Sequence, residues 1–188
     1  MHAASRKTRT VLILIAGALA STASLAAQEA DSPHNDRRGL WGGFGFGGAW
    51  AGCLASDCDT LAEFGFSGNA RLGGTPSQSF RVAAGTFGYY KQVDNVTLQG
   101  GVLSGQLMFY PSEGDFFLLF GGGVAVFEVS IGDISVDETS GAAHFGVGYD
   151  LPLSRKGTLA LTPYANWVIT GLEGTVHMLQ FGLGLTWN

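Results

Sequence analysis

The chain reads as all-β, an eight-stranded antiparallel up-and-down barrel with bulky apolar side chains on its outer face and a Gly-rich, partly polar, filled lumen. Three observations carry that reading. Apolar residues alternate with small or polar ones in segment after segment, the period of a strand whose two faces differ. Glycine supplies 30 of 188 residues, which is too many for a helical chain. Clusters such as GGTPSQS, PSEGD and PLSRKG separate the alternating runs as turns. With 46% hydrophobic and 13% charged residues the chain is too apolar for disorder, so helix bundles, Rossmann-type enzymes and disordered chains are all set aside.

At the N-terminus Arg6, Lys7 and Arg9 precede the apolar run Val11 to Ala20, and Ser24-Leu25-Ala26-Ala27 before Gln28 suits a cleavage site. Residues 1–27 therefore read as a cleaved export signal, since the run is shorter than the ~18 apolar residues a spanning helix needs. Residues 28–38 (QEADSPHNDRR) are polar and non-periodic and read as a mobile leader, in which His34 is simply solvated. Residues 39–188 form one barrel domain. Three of the ten Lys and Arg leave with the signal, so the mature formal charge is −8 and a nucleic-acid partner is not expected.

The strands are expected at roughly 40–52, 62–73, 79–90, 96–110, 116–129, 141–151, 158–170 and 175–187. In the first, Leu40, Phe44, Phe46 and Trp50 share one parity while Trp41, Gly43, Gly45, Gly47, Ala49 and Ala51 share the other. Phe64, Phe66, Ala70 and Leu72 then oppose Gly65, Ser67, Asn69 and Arg71, and Phe80, Val82 and Ala84 oppose Arg81, Ala83 and Gly85. The fourth segment breaks phase, with Val96, Leu98 and Val102 even but Leu103, Leu107 and Phe109 odd, so Gly100-Gly101 is expected to be a bulge. FFLLFGGGVAVF makes the fifth strand. Phe145, Val147, Tyr149 and Leu151 oppose His144, Gly146, Gly148 and Asp150 in the sixth, and in the seventh Leu161, Ala165, Trp167 and Ile169 oppose Thr162, Tyr164 and Asn166. The eighth alternates Leu179, Phe181, Leu183, Leu185 and Trp187 with Gln180, Gly182, Gly184 and Thr186.

The glycines decide which face is the interior. They fall on the polar face, where a crowded eight-stranded lumen requires small residues and a solvated surface gains nothing from them. The apolar face is then left for lipid, and several spans exceed the ~5–6 residues usual in soluble sheets. A secreted soluble barrel, hinted at by the G-x-W of Gly39-Leu40-Trp41, is the alternative, though the helix that should follow a lipocalin barrel is missing.

The last strand carries the most specific motif. Gln180-Phe181-Gly182-Leu183-Gly184-Leu185-Thr186-Trp187 resembles the C-terminal assembly signal of the small eight-stranded outer-membrane β-barrel proteins of Gram-negative-type bacteria, with Gln180, Gly182, Leu185 and Trp187 in its positions. Asn188 departs from it, since the pattern usually closes on the aromatic. The resemblance covers 39–188 and implies an integral outer-membrane transmembrane barrel in the cell envelope, periplasmic chaperones and the β-barrel assembly machinery as partners, and contact with outer-membrane lipid and lipopolysaccharide. It implies no single activity.

Cys53 and Cys58 lie in the loop after the first strand in an oxidising compartment and are expected to form a local disulfide. His2, His34, His144 and His177 lack the spacing of a metal site, and neither a metal nor a cofactor is expected. Lipid A deacylases resemble this scaffold, and His144 with nearby Ser140 is the one constellation to weigh for hydrolysis; a histidine filling a polar lumen is the simpler account. That lumen is expected to hold Asn69, Arg71, Arg81, His144, Asp150, Tyr164, Asn166 and Gln180, with Asp150 paired to Arg71 or Arg81 near the periplasmic end. Trp41, Trp50, Tyr89, Tyr90, Tyr110, Tyr149, Trp167 and Trp187 are read as interfacial girdles, and His177 as an interfacial residue. Asp57, Asp59, Asp94, Asp133, Asp137 and Glu138 give the outer loops an acidic bias. The expected role is structural, envelope-organising or loop-mediated interaction and not enzymatic. A narrow channel, a lipid-modifying hydrolase and a secreted ligand-binding barrel follow in that order.

Overall fold

A computed structural model describes residues 37–53, 63–131, 134–154, 157–171 and 175–188. The strands are β1 (Gly39–Cys53), β2 (Glu63–Ser77), β3 (Phe80–Val93), β4 (Val96–Phe109), β5 (Phe116–Ile131), β6 (Ile134–Tyr149), β7 (Leu151–Pro152), β8 (Leu159–Thr170) and β9 (Val176–Trp187). Each pairs antiparallel with its sequence neighbour except β6 and β7, which both lie along β8; β1 pairs with β9, and β6 with β8, which closes the ring. β7 continues β6 in the same register along β8, so the two are one strand interrupted at Asp150, and the closed barrel has eight strands.

Closure follows from the alternation. Side chains of one parity point out and are exposed, among them Leu40, Phe46, Phe66, Leu72, Leu103, Val124, Phe145 and Leu183. Those of the other parity point in and are buried, among them Trp41, Phe87, Met108, Phe117, Arg81, His144 and Gln180. An apolar exterior around a mixed interior is the arrangement of a membrane barrel and the reverse of a soluble one. The lumen has room because glycine stands opposite its largest groups. A Cβ on Gly148 would lie 2.3 Å from the Phe117 ring, one on Gly121 2.2 Å from His144, and one on Gly85 2.2 Å from Gln106.

Four expectations change. Gly100-Gly101 is no bulge, because β4 pairs with both β3 and β5 in unbroken register. The even residues Leu98 and Val102 face the lumen, whose far end is apolar, and this is why the parity of large residues changes along β4. The register shift lies instead between Gly74 and Ser77, beside the β2–β3 turn. Second, β6 starts at Ile134, well before the expected 141. Ser135–Thr139 are exposed on both faces, so no alternation marks them. Third, Trp41, Tyr89 and Tyr110 are lumen residues and not girdle residues; they are at most 3% exposed, whereas Trp50, Tyr90, Tyr149, Trp167 and Trp187 do face outward. Fourth, Arg37, assigned above to the leader of residues 28–38, is buried and built into the barrel end.

Candidate functional site

The lumen concentrates the chain's buried polar chemistry, in two tiers under an apolar cap. At the end that carries the C-terminus, Asp150 sits opposite Thr162 where β6 gives way to β7. Its Oδ2 accepts from Arg81 Nη1 at 3.3 Å and from the Tyr110 hydroxyl at 2.9 Å, and its Oδ1 accepts from Thr162 Oγ1 at 2.8 Å. Arg81 Nη1 also donates to Tyr110 Oη, and Nη2 donates to the Asn188 side chain. The guanidinium lies 4.9 Å from the Trp41 ring centroid. Burial, and then the Asp150 carboxylate, push the Tyr110 hydroxyl well above its ordinary range, so it serves as a donor. Of the two arginines considered from parity, Arg81 is the one that meets Asp150.

Arg37 closes this end from below. It donates to the carbonyls of Glu113 and Gly114 at 3.0 and 2.7 Å and to Asp115 Oδ1 at 3.1 Å. Its guanidinium stacks 3.8 Å above the Tyr110 ring, and its backbone N–H donates to Gln78. Sequence reasoning missed it, because its main partners are backbone carbonyls of the 110–115 turn, which no side-chain pattern announces.

The middle tier holds the remaining expected residues. His144 Nε2 lies 3.0 Å from Ser104 Oγ, which also receives a hydrogen bond from Gln106 Nε2 at 3.1 Å. The expected neighbour, Ser140, is half-buried and donates to the Gly141 carbonyl. His144 is fully buried with its ring packed at a steep angle on Phe87, and among the described residues its Nδ1 has no hydrogen-bond partner, so no described carboxylate orients the pair. Arg71, Asn69, Tyr164, Asn166 and Gln180 point inward nearby. Each carries at least one buried atom without a hydrogen bond. Above them Phe87, Val102, Ala125, Phe127, Val168 and Met178 pack into an apolar cap.

On the outer wall Trp167 Nε1 donates to His177 Nδ1 at 3.2 Å and their rings stack. The residues expected to form an assembly signal lie along β9, with Gln180 and Gly182 inward and Leu185 and Trp187 outward. A Cβ on Gly182 would meet the Phe46 carbonyl oxygen at 2.2 Å, so this glycine also permits the close approach of β1 and β9. Among the described residues no group of three His, Cys, Asp or Glu is placed to hold a metal ion. The expected Cys53–Cys58 bridge, and Asp57, Asp59 and Asp133, lie outside the described residues.

No protein-family model matches the chain, and no curated protein matches it. Solved structures do. Neisserial surface protein A (NspA) superposes with a TM-score of 0.62 at 12% identity, covering 79% of this chain and 96% of that one. Ail, the attachment invasion locus protein of Yersinia pestis, superposes with a TM-score of 0.55 at 12% identity, covering 80% and 99%. Ail in complex with the heparin analogue sucrose octasulfate gives 0.54 at 13% identity over 79% and 99%. At these identities the likeness is one of fold, and it agrees with the ring closure, the apolar wall and the plugged lumen: the chain has the fold of the small eight-stranded outer-membrane β-barrels.

Proposed function

We propose that this protein is an integral outer-membrane barrel, exported through a cleaved signal, that organises the envelope or presents its outer rim to a partner, and that it is neither a hydrolase nor a pore. The observation that carries this reading is the lumen, which is closed by the Arg81–Asp150–Tyr110 cluster at one end and by the Phe87–Phe127 cap at the other. Such an interior admits no substrate to Ser104 and His144 and leaves the rim as the part open to partners. Envelope fractionation followed by gel migration with and without boiling tests it. The protein is expected in the outer membrane and runs faster unboiled, because a closed barrel resists detergent until heated; recovery wholly in the soluble fraction overturns the proposal.

The rim chemistry supports a cationic or divalent-bridged partner, including lipopolysaccharide phosphates held through metal ions. Asp94, Asp137 and Glu138 are exposed there. Ail's complex with a sulfated sugar belongs to Ail, and an acidic rim disfavours such a polyanion here. Retention on lipopolysaccharide-coated beads that disappears with a chelator is the expected result. In the same compartment Cys53 and Cys58 are proposed to bridge. Intact mass after alkylation of unreduced protein should show neither thiol labelled, and two labelled thiols would refute the bridge.

A further inference from the structure

The charges inside the barrel do not balance locally. Among the described residues three arginines are buried, Arg37, Arg71 and Arg81. Arg37 has Asp115 and Arg81 has Asp150. Arg71, 8% exposed, has no carboxylate within ion-pairing distance among the described residues, and its Nε and Nη2 have no hydrogen-bond partner. Asp150 is already committed to Arg81, Tyr110 and Thr162. A lone guanidinium in a low-dielectric interior is costly enough that it is normally neutralised or paired.

Beside Arg71 lies a small, partly enclosed cavity of about 10 Å³, lined by Asn69, Arg71, Thr162, Tyr164, Thr186 and residues of β1 and β9. That is room for one water-sized particle. Arg71 Nε and Nη2, Asn69 Nδ2 and the Tyr164 hydroxyl make no hydrogen bond of ordinary geometry, Asn69 and Tyr164 being near enough to interact only weakly with each other, and all can donate. The two threonines have no proton left to donate, although their oxygens can still accept. Thr162 spends its proton on Asp150, so the 2.9 Å contact between Thr162 and Thr186 takes the proton of Thr186. Glycine makes the convergence possible, since a Cβ on Gly45 would come within 2.7 Å of the Tyr164 ring and 3.0 Å of Asn69 Nδ2. The Tyr164 and Phe87 ring centroids each lie 5.8 Å from Arg71 Cζ, too far and too weakly charged to replace a counter-ion.

We propose that this cavity is an anion site, in which one small monovalent anion is held by Arg71 with Asn69 and Tyr164, whose side chains move apart to admit it, and supplies the charge the lumen lacks. An anion is favoured over water because these donors surround a positive charge that a neutral water would leave uncompensated. The anion is a structural part of the barrel. The inference is independent of what the outer rim binds.

Bromide serves as the probe. The protein is refolded in detergent in sodium bromide or sodium gluconate at equal ionic strength, crystallised, and measured at the bromine absorption edge. An anomalous peak within hydrogen-bond reach of Arg71 and Tyr164 is expected. The thermal midpoint should rise with bromide or chloride concentration and level off, relative to gluconate. Arg71→Gln should abolish that anion dependence, Tyr164→Phe should move it to higher concentration, and Lys91→Gln, on the outer part of β3, should leave it intact. An ordered water in the cavity, halide only on the surface, or equal midpoints in bromide and gluconate would overturn the proposal. If Arg71→Gln fails to refold, the wild-type peak and midpoints decide alone.

Discussion

Asp150 shows what one residue does in a lumen too narrow for bulk water. It takes hydrogen bonds from Arg81 on β3, Tyr110 in the turn after β4 and Thr162 on β8, so it joins three distant stretches of the ring. Removing its charge leaves Arg81 buried with only neutral partners. Asp150→Asn is expected to lower stability in detergent by about 3 kcal/mol, the low end for breaking one partner of a buried pair. Asp137→Asn, on exposed β6, should change it by less than ~0.5 kcal/mol. Heat or urea unfolding of the two variants beside wild type is the measurement, and equal small effects would mean that Arg81 is satisfied without Asp150. The pair with an arginine was legible in the sequence, because parity and distance from the turns put the charges on one face at one end. Tyr110, Thr162 and Ser104 were not. Which residues meet across a barrel depends on strand tilt and shear, and these are not local properties of the chain.

Strands carry their information in the contrast between two faces, and the sequence was readable where that contrast was strong. β1, β2, β8 and β9 announced themselves through Phe, Leu and Trp set against Gly, Asn and Thr. Two places lacked the contrast. In β4 the lumen is apolar, so Val102 resembled an outward residue out of phase; on the outer half of β6 both faces are exposed, so a strand resembled a loop. Glycine's role is also set at this scale. On β1, which closes the ring against β9, Gly45 pairs with Gly184 and Gly47 with Gly182. A Cβ on Gly47 would stand 1.9 Å from the Phe181 carbonyl oxygen, and backbone cannot rotate aside as a side chain can. Gly47→Ala is therefore expected to cost ~1–3 kcal/mol, as overpacking does, and to lower refolding yield. Gly105→Ala, facing outward with nothing within 4 Å, should be neutral or stabilise slightly. The difference in folded fraction after refolding into detergent micelles reads this out, and equal yields would show that the β1–β9 seam can widen.

At the scale of the whole molecule, the apolar wall and the plugged lumen have one origin. A chain that spends its large apolar residues outside must fill its interior with what remains, and eight strands enclose about the width of a side chain. In this barrel the interior is filled twice over. Near the C-terminal end Trp41, Arg37, Arg81, Tyr110 and Phe117 are each at most 1% exposed, and toward the other end Phe87, Val102, Ala125 and Val168 are at most 2% exposed. An ion crossing the barrel would have to part the Arg81–Asp150 pair and then enter a hydrocarbon cap, each step carrying a desolvation cost. Steady conductance across a planar bilayer should therefore be near background at moderate voltage. Asp150→Asn should not open a path, because the cap stays in place; Phe87→Ala combined with Asp150→Asn removes an obstacle from both tiers and should produce measurable, irregular current. Large, well-defined steps from the unmodified protein would instead mean that the two plugs move together, and would make the narrow channel the better account of the fold.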